Sequence, residues 1–431
     1  MPYAIDLFCG AGGMSEGMLQ AGFHILFSSD INEDVQKTYM NRHKQLGYIQ
    51  GVNTYYDRCD IKDLKGDFIH EKIASLEMFA GKEIPVIDAI FGGPPCQGFS
   101  RAGLRKKDDP RNFLFKEYLR VVSEVMPNYV VMENVVGFLD MQFDEFVGLT
   151  GIQYPDGTVT PDILRNEFEE LGYEADMKVL DASDFGVPQR RNRVIFIAHK
   201  KGLKKPAFPD PITPVNKVTL NDAISDLRTD IIKITNLTAF QLESRRGRTP
   251  GIDGKPIKCV EEMNNELSAH LPIIQERFSL YRAGEDSAAL KRRIMEEGIN
   301  LTGKGALVQL CAEKMSISKS EVVERFKQDV TPDMIEILLT KKNMRRRLEK
   351  DKVSPTVVTL PDDYISPYED RTFSVRELAR LQSFDDSFEF LGKRTTGGPR
   401  RKVEIPQYSQ VGNAVPPLLA RAIASEIIKV L

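Results

Sequence analysis

No stretch of this 431-residue chain approaches the roughly 18 consecutive apolar residues of a membrane span, so no membrane association is expected. A strand-like pattern begins at Tyr3, which is expected to leave no room for a signal peptide. Cysteine is scarce: five residues, an odd and scattered number, fit neither a disulfide framework nor zinc spacing, and no metal site is expected. A reducing intracellular compartment is the simple reading. Internal repeats and low-complexity segments are absent. An excess of positive charge is missing too: the net charge is −3, so global charge does not announce a nucleic-acid binder. What basic charge there is gathers in four clusters, Arg190 to Lys205, Arg245 to Arg248, Lys341 to Arg347 and Lys393 to Lys402. Each alone is an ordinary solvated face; together they predict a local basic cleft on an acidic body. With 41% hydrophobic and 28% charged residues, the chain has the composition of a globular protein of two or three domains.

The chain is organised around Ile90 to Ser100, IFGGPPCQGFS. An apolar run from Pro85 to Phe91 ends in two glycines, two prolines stiffen the backbone, and Cys96 follows. A lone cysteine is usually structural. Here the flanking Pro-Pro and Gln-Gly-Phe-Ser set the thiol in a shaped loop at a strand end, where open α/β sheets bind ligands. At the N-terminus, Tyr3 to Phe8 reads as a strand, Gly10, Gly12, Gly13 and Gly17 follow, and Met14 to Leu19 can start a helix. That order suits a nucleotide cofactor, although a plain glycine turn is an equal reading. A second strand, Ile25 to Ser29, ends in Asp30, an acidic residue suited to ribose hydroxyls. A nicotinamide cofactor would be served as well by these features.

Further on, Asn112 to Val125 has helical spacing, and the strand Tyr129 to Met132 ends in Glu133-Asn134-Val135. Met177 to Leu180 and Val194 to Ala198 read as strands, with Gln189-Arg190-Arg191-Asn192-Arg193 between them. From Pro206 to Ser354 polar and basic segments alternate with short helical patterns, such as Ser320 to Val330, and no motif stands out. Then come Pro355-Thr356-Val357-Val358, the helical Arg376 to Gln382, Gln410 to Pro417, and an amphipathic helix from Leu418 to Val430.

These segments, in this order, resemble the bacterial-type DNA cytosine-5 methyltransferases. The resemblance implies an α/β, Rossmann-like methyltransferase domain (residues 1–205 and 355–431) with an inserted, smaller target-recognition domain (206–354). It implies S-adenosylmethionine as cofactor and S-adenosylhomocysteine as product. Carried over residue by residue, Asp6, Phe8, Gly10, Gly12, Gly13, Asp30, Ile31, Asp60, Ile61, Pro94, Asn413 and Val415 would hold the cofactor. Cys96 would be the nucleophile, with Glu133 and Arg193 acting on the target base. Gln97, Ser100, Asn134 and Arg191 would contact the substrate, Arg191 as a phosphate-binding or structural arginine. The helix Arg376 to Gln382 would pack the domains together. The partner implied is double-stranded DNA, bound by a monomer, in a system that can include a cognate restriction enzyme. Two rivals stay open. A transfer-RNA methyltransferase of the same fold is disfavoured by the long Pro206–Ser354 segment. A non-catalytic DNA-binding relative is disfavoured because Cys96, Glu133 and Arg193 are all present.

Overall fold

The computed structural model describes residues 1–95, 113–230, 236–340, 345–396, 398, 400 and 403–431. The first half alternates strand and helix: β1 (Tyr3–Leu7), α1 (Gly13–Ala21), β2 (His24–Ser29), α2 (Glu33–Gln45), β3 (Tyr55–Asp57), α3 (Gly66–Ala74), β4 (Ala89–Gly92), α4 (Leu114–Val125) and β5 (Tyr129–Val135). α5 (Thr160–Glu170), β6 (Tyr173–Asp181) and β7 (Asn192–Lys200) complete it. The seven strands form one sheet in the order β6-β7-β5-β4-β1-β2-β3. β1 to β5 run parallel, and β7 runs antiparallel to both of its neighbours.

Side chains alternate between the two faces of the sheet. Ala4, Ala89, Phe91, Val131 and Ile195 enter one core, and Ile5, Leu7, Ile90, Val130 and Val194 the other. Burial on both faces explains why these strands read as nearly unbroken apolar runs. β6 and β7 are longer than their apolar centres suggest, because nine residue pairs from Tyr173↔Lys200 to Asp181↔Asn192 join them and the charged residues of β6 face solvent. β5 likewise continues past Met132, held by β7 as far as Val135. Glu133 therefore lies within a strand, not beyond its end.

Helices make up most of the remainder: α6 (Leu220–Ile224), α7 (Ala239–Arg246), α8 (Pro272–Phe278), α9 (Ser287–Glu297), α10 (Gly305–Met315), α11 (Lys319–Gln328), α12 (Pro332–Leu338), α13 (Val375–Leu381), α14 (Gln407–Asn413) and α15 (Pro417–Ile428). The stretch between the two parts of the sheet domain splits by packing. Leu220, Ile224, Leu227 and Phe240 share the core of the sheet domain, whereas α8 to α12 close a core of their own around Leu290, Leu307, Val322, Phe326 and Leu338. No helix among the described residues is long and apolar enough to cross a membrane.

α1 and α15 pack through Gly17. A Cβ built there would lie 2.4 Å from the Ala420 Cβ and 2.5 Å from the Arg421 backbone nitrogen. Gly17→Ala improves helix propensity by about 0.5–1 kcal/mol, but overpacking against backbone costs about 1–3 kcal/mol. The clash should win, and a urea melt should show a lowered midpoint; a raised midpoint would mean that the two helices part freely.

Candidate active site at the sheet's carboxyl edge

Strand order reverses at β1, whose neighbours β2 and β4 leave in opposite directions across the sheet. A crevice opens at such a point, beyond the carboxyl ends of the strands. The register sets what stands on its rim. Leu7 pairs with Ser29 and with Gly92, and Gly92 pairs with Met132. The next residue on each chain is Phe8, Asp30, Gly93 or Glu133. Four segments read separately in the sequence thus meet at one level.

On the β1–β2 side the rim is a tight glycine turn with a carboxylate and an apolar side chain beside it. Phe8 has a left-handed backbone (φ 56°), as does Gly12 (φ 98°), which turns the chain into α1. A Cβ on Gly13 would lie 2.3 Å from the Val415 carbonyl oxygen, so the Asn413–Val415 segment folds directly onto the glycine turn. The Asp30 carboxylate accepts hydrogen bonds from the Gly10 N–H (3.0 Å) and the Asn32 N–H (2.9 Å). Ile31 beside it is 62% exposed, an apolar side chain with nothing to cover it among the described residues. Beneath the loop, the Ser15 hydroxyl donates to Asp6 Oδ2 and hydrogen-bonds to the Tyr39 hydroxyl (3.0 Å), which also meets Ser28 (2.5 Å). Asp6 Oδ1 is buried and has no hydrogen-bond partner among the described residues. Such an orphaned carboxylate oxygen fits a cationic ligand group. Burial, reinforced by Asp30 and opposed by the Ser15 hydrogen bond, pushes the Asp6 pKa up to about 7. Asp60 is half-buried, and its carboxylate accepts from the Lys62 N–H (3.1 Å). Ile61, expected to touch the cofactor, turns its side chain into the core with Leu64 and Phe115.

On the β4–β5 side, Glu133 and Arg193 form an ion pair at 2.7 Å, each side chain only 12% exposed. Sheet register explains it: Glu133 lies opposite Ile195 in the antiparallel β5–β7 pair, and Arg193 is two residues further along the same face. A Cβ on Gly93 would stand 3.2 Å from Glu133 Oε2, so glycine admits the carboxylate to the root of the Pro94-Pro95 turn. Asn134, expected on the substrate, is buried; its amide donates to the Pro94 carbonyl (3.0 Å) and holds that turn. Arg191, the least secure of the expected contacts, is 3% exposed, and its Nε finds no partner among the described residues. Burial, then the Arg193 charge, lower its pKa, with Glu133 opposing. That depth suits the structural reading of Arg191, not a phosphate contact. Cys96, Gln97 and Ser100 lie outside the described residues.

The sequence did not single out Ser15, Ser28 and Tyr39, which brace the glycine turn from below; Ser15, inside the glycine motif itself, was the available signal. Four arginines expected in a basic cleft are internal instead, while Lys341, Lys342, Arg401 and Lys402 lie outside the described residues. Arg245 pairs with Asp226 and Glu262, and Arg248 with Asp385. Arg345 and Arg347 are buried and donate to backbone carbonyls, among them those of Asp362 and Phe278. A guanidinium with carboxylate and carbonyl partners inside the protein is a cross-link, whereas Arg190, Lys204 and Arg246 remain exposed.

Residues 3–429 match the family described as C-5 cytosine-specific DNA methylase. The type II methyltransferase M.AgeI of Thalassovita gelatinovora is 32% identical over 98% of both chains. The type II methyltransferase M.DdeI of Desulfomicrobium norvegicum is 31% identical over 98% of this chain and 88% of its own. Among solved structures, a DNA modification methyltransferase encoded within an E. coli prophage superposes with a TM-score of 0.64 at 23% identity, covering 100% of this chain and 99% of that one, a likeness of fold.

Asp6 supplies a test of the site that needs no ligand. Because its folded pKa is raised, the folded protein holds this proton more tightly than the unfolded chain. Raising the pH from about 4 to about 7 strips the unfolded chain first and favours unfolding, so stability is lost across that window at up to roughly 1.4 kcal/mol per pH unit. Asp6→Asn should flatten the slope. Urea melts at pH 5 and pH 8 should show the wild type losing more stability than the variant; equal losses would refute the assignment.

Proposed function

The chain belongs to the C-5 cytosine-specific DNA methylase family and is a DNA cytosine-5 methyltransferase; from that premise we propose that it methylates carbon 5 of a cytosine flipped out of a specific duplex DNA site, through a covalent Cys96 adduct, with S-adenosylmethionine as donor. The observation that carries the reading is the Glu133–Arg193 pair against Gly93, on the same rim as Phe8 and Asp30, with Cys96 three residues after Gly93 in the sequence. The donor fits the other side of that rim. Asp30 would take the ribose, Ile31 the adenine, and the orphaned Asp6 oxygen the positive charge near the methionine end, closed off by Asn413 and Val415. When bound, S-adenosylmethionine supplies an electrophilic methyl group.

Carbon 5 of cytosine is a poor nucleophile because the ring is aromatic and electron-poor. The Cys96 thiolate forms a bond to carbon 6 and pushes the ring electrons to carbon 5. Glu133 shares a proton at ring nitrogen 3 and draws electrons from carbon 6. Arg193 neutralises charge developing at the carbonyl oxygen on carbon 2. After methylation the carbon 5 proton leaves, the ring double bond re-forms, and the bond to Cys96 sulfur breaks. A stacked base cannot meet both a thiol and a donor, so the cytosine must leave the helix at a cost of a few kcal/mol. Residues 206–354 would recognise the site, since no catalytic segment falls within them. The relatives named type II methyltransferases favour a restriction–modification setting with a cognate nuclease.

A duplex carrying 5-fluorocytosine at the target tests the chemistry, because fluorine cannot leave as a proton does. With S-adenosylmethionine present, wild type should give a protein–DNA adduct that survives boiling in detergent. Cys96→Ser should give none, and Glu133→Gln should form it about 100-fold more slowly. An enzyme that methylates its normal site without trapping on the fluorinated one would refute the covalent route. Asp30→Ala should weaken donor binding by about tenfold or more in calorimetry, through loss of a charge-assisted hydrogen bond; unchanged affinity would remove Asp30 from the donor site. Exchanging residues 206–354 for those of another family member should move methylation to that member's sequence, and an active chimera that kept the original site would contradict the division of labour.

A further inference from the structure

Within the compact unit of α8 to α12, two helices have a geometry that the chemistry above does not use. α10 and α11 are joined by only Ser316, Ile317 and Ser318. Ser316 is left-handed (φ 55°, ψ 42°) and ends α10 at once. The Ile317 N–H then donates back to the Ala312 carbonyl (3.2 Å), and the Ser318 hydroxyl caps α11 by accepting from the Glu321 N–H (3.2 Å). Cys311 and Ala312 of α10 and Val322 and Phe326 of α11 face the shared core. A small buried residue one turn before a left-handed bend, an apolar residue after it, and two short helices closing on a third make a helix-turn-helix arrangement.

The two ends of α11 differ. Its C-terminal end is tied to the α9–α10 connection, where the Ile299 N–H donates to the Phe326 carbonyl (2.6 Å). At its N-terminal end Ser318, Lys319 and Ser320 are exposed. From Lys314 to Ser320 the chain carries two lysines and three serines and no carboxylate. The next two carboxylates are already neutralised, Glu321 by Arg325 (2.8 Å) and Glu324 by Lys327 (2.7 Å). The helix dipole adds partial positive charge at the same end. This end complements an anion lattice, and it offers hydrogen-bonding side chains, not an apolar docking face.

We infer that α10–α11 is a helix-turn-helix unit that sets the N-terminal turn of α11 into the major groove of the DNA substrate, with Lys319 and Ser320 reading base edges. The inference rests on the reading that the enzyme acts on duplex DNA, and it names the element within residues 206–354 that selects the sequence.

The full-length enzyme with S-adenosylmethionine and a random-sequence duplex library provides the test, read by bisulfite sequencing. Wild type should mark one site. Lys319→Ala/Ser320→Ala, and separately Lys319→Glu, change exposed side chains, so thermal melting and donor binding should match wild type. The double variant should accept more than one base at one or more positions of the site, and its preference for cognate over non-cognate duplex should fall about tenfold or more. Lys319→Glu should bind the cognate duplex at least as poorly. Folded variants with the wild-type site and affinity would overturn the inference while leaving the methyltransferase reading intact. A uniform loss of affinity with an unchanged site would also overturn it, reducing α11 to a phosphate contact. A wild type that marked no duplex would fail at the earlier step and take this inference with it.

Discussion

The constraint on which the rest depends is the register of the parallel strands. Leu7, Ser29, Gly92 and Met132 stand in one row because β1 pairs with β2 and β4, and β4 with β5, without slippage at that level. A slip of one residue in any strand would turn its side chains to the opposite face. It would also withdraw Phe8, Asp30, Gly93 or Glu133 from the common rim. Burial on both faces makes such a slip costly, so the cores that stabilise the sheet also fix the site to within a residue. β7 adds the last element: only an antiparallel neighbour brings Arg193 back toward the carboxyl edge, against a carboxylate on β5.

Holding the distant segments on that sheet falls to buried arginines. Arg380 on α13 binds Asp226 (2.5 Å) and Asp386 (2.7 Å) and donates to the Ala223 carbonyl (2.8 Å), while Arg245 shares Asp226. Gln189, just before β7, donates to the Leu381 carbonyl (3.0 Å) and accepts from the Val357 N–H (2.9 Å). The segment entering β7 and the chain returning near Ser354 are therefore sewn together, the Arg190 N–H donating to the Ser354 carbonyl and the Ser354 N–H to that of Pro188. Buried ion pairs add little net stability over a well-packed apolar core, but removing one partner strands a charge at a cost of about 3–5 kcal/mol. Their value here is specificity: they define one way for the returning chain to dock.

This division explains what could be read in the sequence and what could not. Segments around Asp30, Asp60, Glu133 and Arg193 were legible because charged residue types at or near strand ends stand out against apolar runs. Asn134 and Ile61 sit in the same segments but point inward, and spacing along a chain does not report which way a side chain turns at the end of a strand. The basic clusters misled for a related reason. Sequence counts a guanidinium as surface charge, whereas Arg248, Arg345 and Arg347 spend theirs on partners far away in the chain. α8 to α12 were hardest: apart from α11, foreshadowed by the pattern from Ser320 to Val330, these helices of 7 to 11 residues have short apolar faces, and their core exists only once all five meet.

Three departures from ordinary folding rules lie in or beside the crevice. Phe8 takes a left-handed backbone that costs a non-glycine residue roughly 1–2 kcal/mol. Asp6 buries a carboxylate oxygen without a partner, and Arg191 buries a guanidinium nitrogen without one. Each could be relieved by a conservative change: glycine at position 8, asparagine at 6, an apolar residue at 191. Nearby, two buried carboxylates are matched: Glu16 by the two-pronged Arg42 (both bonds 2.9 Å) and Glu167 by Thr150 and Tyr154. An unpartnered buried carboxylate beside a strained backbone is a combination that a bound ligand would relieve. The three departures divide between the two sides of the crevice, two on the β1–β2 side and one beside Glu133 and Arg193. Both sides of the crevice thus carry a cost that the sheet framework between them does not require.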